Sequence, residues 1–125
     1  MPKAKPLISI VDDDESMREA ITGIMRSLGY RVEAVASAQE FLSSRQAGRA
    51  SCLIADMQMP GMTGLELYQR LSTSANPVPT ILITAYPDDS VRERALSAGV
   101  VGYLSKPFEE NDLLACIRSA LTHAP

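Results

Sequence analysis

Cysteine is scarce in this 125-residue sequence: only Cys52, opening an apolar run, and Cys116, inside a helical pattern, are present. Two thiols in such settings exclude a disulfide framework and read as buried side chains. No apolar run approaches the ~20 residues needed to cross a bilayer, and the first residues, "MPKAKP", lack the hydrophobic core of a signal peptide. The expected compartment is therefore the cytoplasm, with no membrane association. Basic charge is not in excess either. Twelve Lys and Arg against 15 Asp and Glu give a net charge of −3, which argues against a large nucleic-acid surface, so DNA binding would need another domain. There is no glycine-rich dinucleotide fingerprint and no P-loop, so ATP is not an expected direct ligand. Internal repeats, low-complexity tracts and linkers are also missing, and the length suits one domain over residues 1–125 around a single sizeable core.

What is there is ordinary globular composition, 46% hydrophobic and 22% charged, arranged with strong periodicity. Five short runs have strand length and β-branched content: "LISIV" (7–11), "RVEAVA" (31–36), "CLIA" (52–55), "TILIT" (80–84) and "GYLS" (102–105). Amphipathic stretches separate them, with Met17, Ile21, Ile24 and Leu28 on the stripe of the first and Leu113, Ile117, Ala120 and Leu121 on that of the last. Ser16 with Glu19, and Ser37 with Glu40, have the capping-box spacing, and Gly29, Gly48 and Gly99 sit where helices should stop. Strand and helix alternating five times, with mostly continuous strand hydrophobicity, implies a parallel sheet covered on both faces. The expected fold is α/β, a flavodoxin-like doubly wound sheet of five strands in the order 2-1-3-4-5 with five helices, its ligand crevice at the carboxyl ends of strands 1 and 3.

Chemistry collects at that edge. Asp12, Asp13 and Asp14 follow strand 1, Asp56 follows strand 3, Thr84 ends strand 4, and Lys106 and Pro107 follow strand 5. Carboxylates this close repel strongly, since two charges ~4 Å apart interact by ~4 kcal/mol at an effective dielectric of ~20. Hard oxygen ligands favour Mg²⁺, which takes one or two carboxylates and keeps waters and phosphate oxygens. Asp14 is expected to start the first helix rather than to serve the site. A carboxylate such as Asp56 can attack phosphorus, and the reaction needs little beyond a metal, an ammonium and a hydroxyl donor in position.

The segments "VDDDE", "IADMQMPGMTGLEL", "ILITAY" and "GYLSKPF" together resemble the receiver domain of two-component response regulators across nearly the whole chain. That resemblance implies Asp56 as phosphoacceptor, Asp13 as direct Mg²⁺ ligand, Asp12 as an acid acting largely through metal-bound water, and the backbone carbonyl of Gln58 as a further ligand, with Mn²⁺ as a substitute metal. It also implies Thr84 as phosphate-sensing hydroxyl, Lys106 as the conserved-type lysine, Tyr103 as switch aromatic, and Gln58 and Tyr86 as tuners of phosphoryl lifetime. The Lys106–Pro107 bond is often cis in the family. A histidine kinase or phosphotransfer protein would donate the phosphoryl group, and the domain would catalyse its own phosphorylation and dephosphorylation without being a conventional turnover enzyme. The expected readout is a change in the face made by helix 4, strand 5 and helix 5, with a phosphorylation-induced homodimer or release of an effector surface. The texture is most like regulators that carry a C-terminal helix-turn-helix, so the reading favours the receiver piece of a longer protein.

Three other readings compete. A haloacid-dehalogenase-like phosphatase would carry a second Asp where Gln58 stands. A flavodoxin-like cofactor binder would have to accept phosphate on "DDDE", which repels it. A degenerate receiver would lack some of the five chemical positions, yet all are present.

Overall fold

The strands Leu7–Val11 (β1), Cys52–Asp56 (β3) and Thr80–Thr84 (β4) are buried at every residue, because each is covered on both faces. Arg31–Val35 (β2) and Gly102–Ser105 (β5) are more exposed and form the sheet edges. The computed structural model describes residues 5–74 and 77–123, with side chains left undescribed at 46, 47 and 123; the first four residues of the stretch read for targeting lie outside it. All neighbouring strands are parallel and the order is β2-β1-β3-β4-β5, as the alternation of elements predicts. The helices are Glu15–Ser27 (α1), Ala38–Ser43 (α2), Gly64–Ser72 (α3), Asp89–Ala98 (α4) and Glu110–His123 (α5), with a short 3₁₀ turn at Arg45–Gly48.

The sheet divides the interior into two apolar layers rather than one core. On one side Ile21 and Met25 of α1 and Leu113, Ile117 and Ala120 of α5 pack on Ile8, Ile10, Ile54, Ile81 and Ile83. On the other Phe41 of α2, Leu65, Leu67 and Leu71 of α3 and Ala95 of α4 pack on Val11, Leu53, Ala55 and Leu82. Both thiols lie in the first layer, Cys52 fully buried and Cys116 partly so. Burial, reinforced by neighbouring Cys116, pushes the Cys52 thiol up to about 12, which leaves it protonated and inert.

Helix starts and stops fall where the local signals place them in most cases and differ in a few. Helix α1 is capped by Asp14, whose Oδ1 accepts from the N–H groups of Ser16 and Met17 at 2.9 and 3.4 Å, so the Ser16–Glu19 box does not form. Any of three successive acids could cap here, and the carboxylate also complements the helix dipole. Ser37 caps α2 as expected, while the full capping box belongs to Thr63 and Glu66 at α3. Leu28 is 47% exposed at the C-cap, and Met25 takes the buried place instead. Gly99 closes α4 at φ 112°, a left-handed conformation that favours glycine. Gly48 closes only the 3₁₀ turn, because α2 has already ended at Ser43.

Candidate functional site

The parallel sheet brings the carboxyl ends of β1, β3, β4 and β5 to one edge, and Asp12, Asp56, Thr84 and Lys106 meet there. Asp12 is 1% and Asp56 5% exposed, while Asp13 lies in the open. The Lys106 ammonium donates to Asp12 Oδ2 at 3.2 Å and lies 3.5 Å from Asp56 Oδ2. The other carboxylate oxygens are held by backbone: Asp12 Oδ1 accepts from Asp14 N–H at 2.9 Å, and Asp56 Oδ1 accepts from Gln58 N–H at 3.2 Å. The peptide bond between Lys106 and Pro107 is cis.

Electrostatics follow from this crowding. Burial, then the charge of Asp12, pushes the Asp56 carboxyl up to about 6, opposed by the Gln58 N–H and by Lys106. Burial works against the charged form of Lys106, but Asp12 and Asp56 outweigh it and hold the ammonium above its usual range. Oxygens of Asp12, Asp13 and Asp56 lie within 4.8 Å of one another. Three carboxylates face one paired ammonium among the described residues, and the donor set is all oxygen. Such a set suits a hard divalent cation completed by waters and phosphate oxygens.

The Thr84 hydroxyl is fully buried at the same edge, donating to Gln58 Oε1 at 2.8 Å and accepting from Tyr86 N–H at 3.0 Å. Tyr86 thus engages the site through its backbone, while its residue is 74% exposed. Tyr103 stands apart. From β5 it pairs with Leu82 of β4 and is half-buried against the layer containing α2, α3 and α4.

Two further residues, which no sequence pattern marks as part of the site, shape the crevice. Arg18, in the first turns of α1, reaches back to donate to the Asp12 carbonyl at 2.8 Å. Gly64, the first residue of α3, backs onto Asp56: a Cβ there would sit 2.5 Å from the Asp56 carbonyl oxygen, so only glycine permits this approach. The signal available for Gly64 was its place immediately after the capping Thr63. For Arg18 it was only a long cation one turn beyond the acids.

The response regulator receiver domain family model matches residues 8–118. The chain is 38% identical to the response regulator protein TmoT of Ectopseudomonas mendocina, covering 100% of this chain and 57% of that protein. It is 34% identical to the transcriptional regulatory protein FixJ of Bradyrhizobium diazoefficiens, over 94% of this chain and 57% of that one. It therefore spans little more than half the length of these curated relatives. Among solved structures, the response regulator StyR superposes with a TM-score of 0.86 at 42% identity, covering 95% of this chain and 60% of that one. FixJ-N superposes at 0.85 and 31% identity, over 100% and 98% of the two chains. With the order 2-1-3-4-5 and the acidic crevice at its carboxyl edge, this chain belongs to the receiver-domain family of two-component response regulators.

Proposed function

We propose that residues 1–125 form one receiver domain in which Asp56 accepts a phosphoryl group from a histidine kinase or phosphotransfer protein. The observation that carries this reading is the convergence of Asp56 with Asp12, Lys106 and the Thr84 hydroxyl on one edge. In the forward step an Asp56 carboxylate oxygen attacks phosphorus, the P–N bond to the donor histidine breaks, and its electron pair stays on the imidazole. In the separate dephosphorylation step water attacks the same phosphorus, the acyl O–P bond breaks, and inorganic phosphate and the Asp56 carboxylate are released. Asp12, Asp13 and Asp56, with the Gln58 carbonyl, would hold Mg²⁺ or Mn²⁺, which supplies charge neutralisation for the phosphoryl oxygens. Lys106 places a second positive charge beside Asp56, and Thr84 offers the hydroxyl that senses the phosphoryl group.

The signal then passes through Thr84 and Tyr103 to the face of α4, β5 and α5, favouring a homodimer or freeing an effector surface. Output through transcription, by a domain beyond this chain, is supported by the name of the FixJ relative. The domain itself makes no direct nucleic-acid contact in this account. Intact-protein mass spectrometry tests it: an acyl phosphate donor with Mg²⁺ should add one base-labile phosphoryl group to the wild type and none to Asp56→Asn. An equal gain in both proteins would overturn the assignment of Asp56. Asp13→Asn should weaken Mg²⁺ binding strongly by calorimetry, and unchanged affinity would remove Asp13 from the ligand set.

A further inference from the structure

We infer that the Gln58 side chain is a lock on the Thr84 hydroxyl, so that Gln58 sets the affinity of the crevice for a phosphoryl group and not only its lifetime. The inference rests on Asp56 being the phosphoacceptor. Its basis is that one residue grips both parts of the device: the Gln58 N–H donates to Asp56 Oδ1 at 3.2 Å, and Gln58 Oε1 accepts from Thr84 Oγ1 at 2.8 Å.

The direction of the second bond follows from its surroundings. Tyr86 N–H donates to Thr84 Oγ1 at 3.0 Å, and the hydroxyl is fully buried. If the amide were turned to present its NH₂ group, Oγ1 would face two donors and its own proton would lack an acceptor. The network therefore selects the amide oxygen. A hydroxyl carries a single proton, so Thr84 cannot donate to Gln58 and to a phosphoryl oxygen at once. Every phosphorylation event must break this bond first. The released amide belongs to an exposed residue and is rehydrated, so the opposing effect is that of one neutral hydrogen bond. Gln58 is a positioning residue here, acting on the phosphate through Thr84.

The test uses beryllofluoride with Mg²⁺ as a phosphoryl probe. Gln58→Met keeps the length of the side chain but lacks a strong acceptor, and its exposed position keeps folding out of the comparison. Binding measured by calorimetry should tighten about two- to ten-fold in Gln58→Met relative to wild type. In a Thr84→Val background the same substitution should change affinity by less than about two-fold, because the hydroxyl it frees is gone. In the metal-free protein, three-bond couplings of the Thr84 methyl should change from one fixed rotamer to an average in Gln58→Met. Unchanged affinity and rotamer in Gln58→Met, with the wild type binding the probe, would overturn the lock alone. Equal tightening in both backgrounds would also overturn it, since the effect would then bypass Thr84. A wild type that binds no probe would overturn the phosphoacceptor reading together with the lock.

Discussion

On one face of the sheet, α1 and α5 bury Ile21, Met25, Leu113, Ile117 and Ala120 against a bed of strand isoleucines. On the other, α4 is fastened by Ala95 as its only fully buried side chain among the described residues, with Val91 half covered and Ala98 in the open. The rest of its attachment is polar: Asp88 caps its start, and the Tyr68 hydroxyl donates to the Ala98 carbonyl at 3.1 Å beneath Gly99. At roughly 25 cal/mol per Å² of apolar surface, small side chains hold far less than isoleucines do. The weakly packed α4 is the element freest to move. A switch needs a rigid frame to fix its chemistry and a loosely held element to report it, and α4 lies next to β5, where Tyr103 sits.

The largest expected effect sets the two faces directly against each other. Ile117→Ala should cost about 2–5 kcal/mol, whereas Val91→Ala on α4 should cost under about 1 kcal/mol. Urea denaturation of both variants checks this, and similar losses would erase the contrast.

The crevice gives the next effect, which concerns the frame rather than α4. The folded-state value of Asp56 is raised, to about 6. Its contribution to stability is therefore fully present below the unfolded value near 4 and is lost as pH rises through about 6. Asp56→Asn escapes that loss, so without metal it should be more stable than wild type at pH 7.5 by about 1–2 kcal/mol and similar below pH 4. Denaturation across pH without and with Mg²⁺ measures it, and the cation should narrow the gap.

A smaller effect is expected at the end of α4. Tyr68→Phe removes the hydroxyl from the Ala98 carbonyl at a cost of about 0.5–1.5 kcal/mol. It should speed hydrogen exchange in α4 while leaving α1 and α5 unchanged. The smallest expected effect is kinetic. Tyr86→Ala should shorten the phosphoryl lifetime several-fold, about 1 kcal/mol in barrier, if the exposed ring shields the phosphate from attacking water. Decay of phosphorylated protein at fixed Mg²⁺ reads it, and an unchanged lifetime would confine Tyr86 to its backbone contact with Thr84.

Much of this was legible in the sequence because burial on both faces writes itself as largely apolar runs, as in Leu7–Val11 and Thr80–Thr84. Parallel topology then forced Asp12, Asp56, Thr84 and Lys106 to a common edge without any knowledge of side-chain rotamers. What could not be read depended on choices among near-equivalent groups. Asp14 displaced Ser16 as cap because adjacent residues competed for the same N–H groups, and Leu28 left the apolar stripe because the helix ended beneath it. The Gln58–Thr84 bond joins residues 26 apart through a rotamer, and Gly64 lies so near Asp56 that a Cβ would come within 2.5 Å of its carbonyl oxygen. Neither leaves a periodic trace.

The most direct measurement is NMR of the whole domain, following backbone amides on both faces as Mg²⁺ and beryllofluoride are added. Changes are expected at Asp56 and Thr84 that continue through Tyr103 into α4, with the apolar layer beneath α1 left close to its free state. Changes confined to the crevice, or spread equally over both faces, would contradict that expectation.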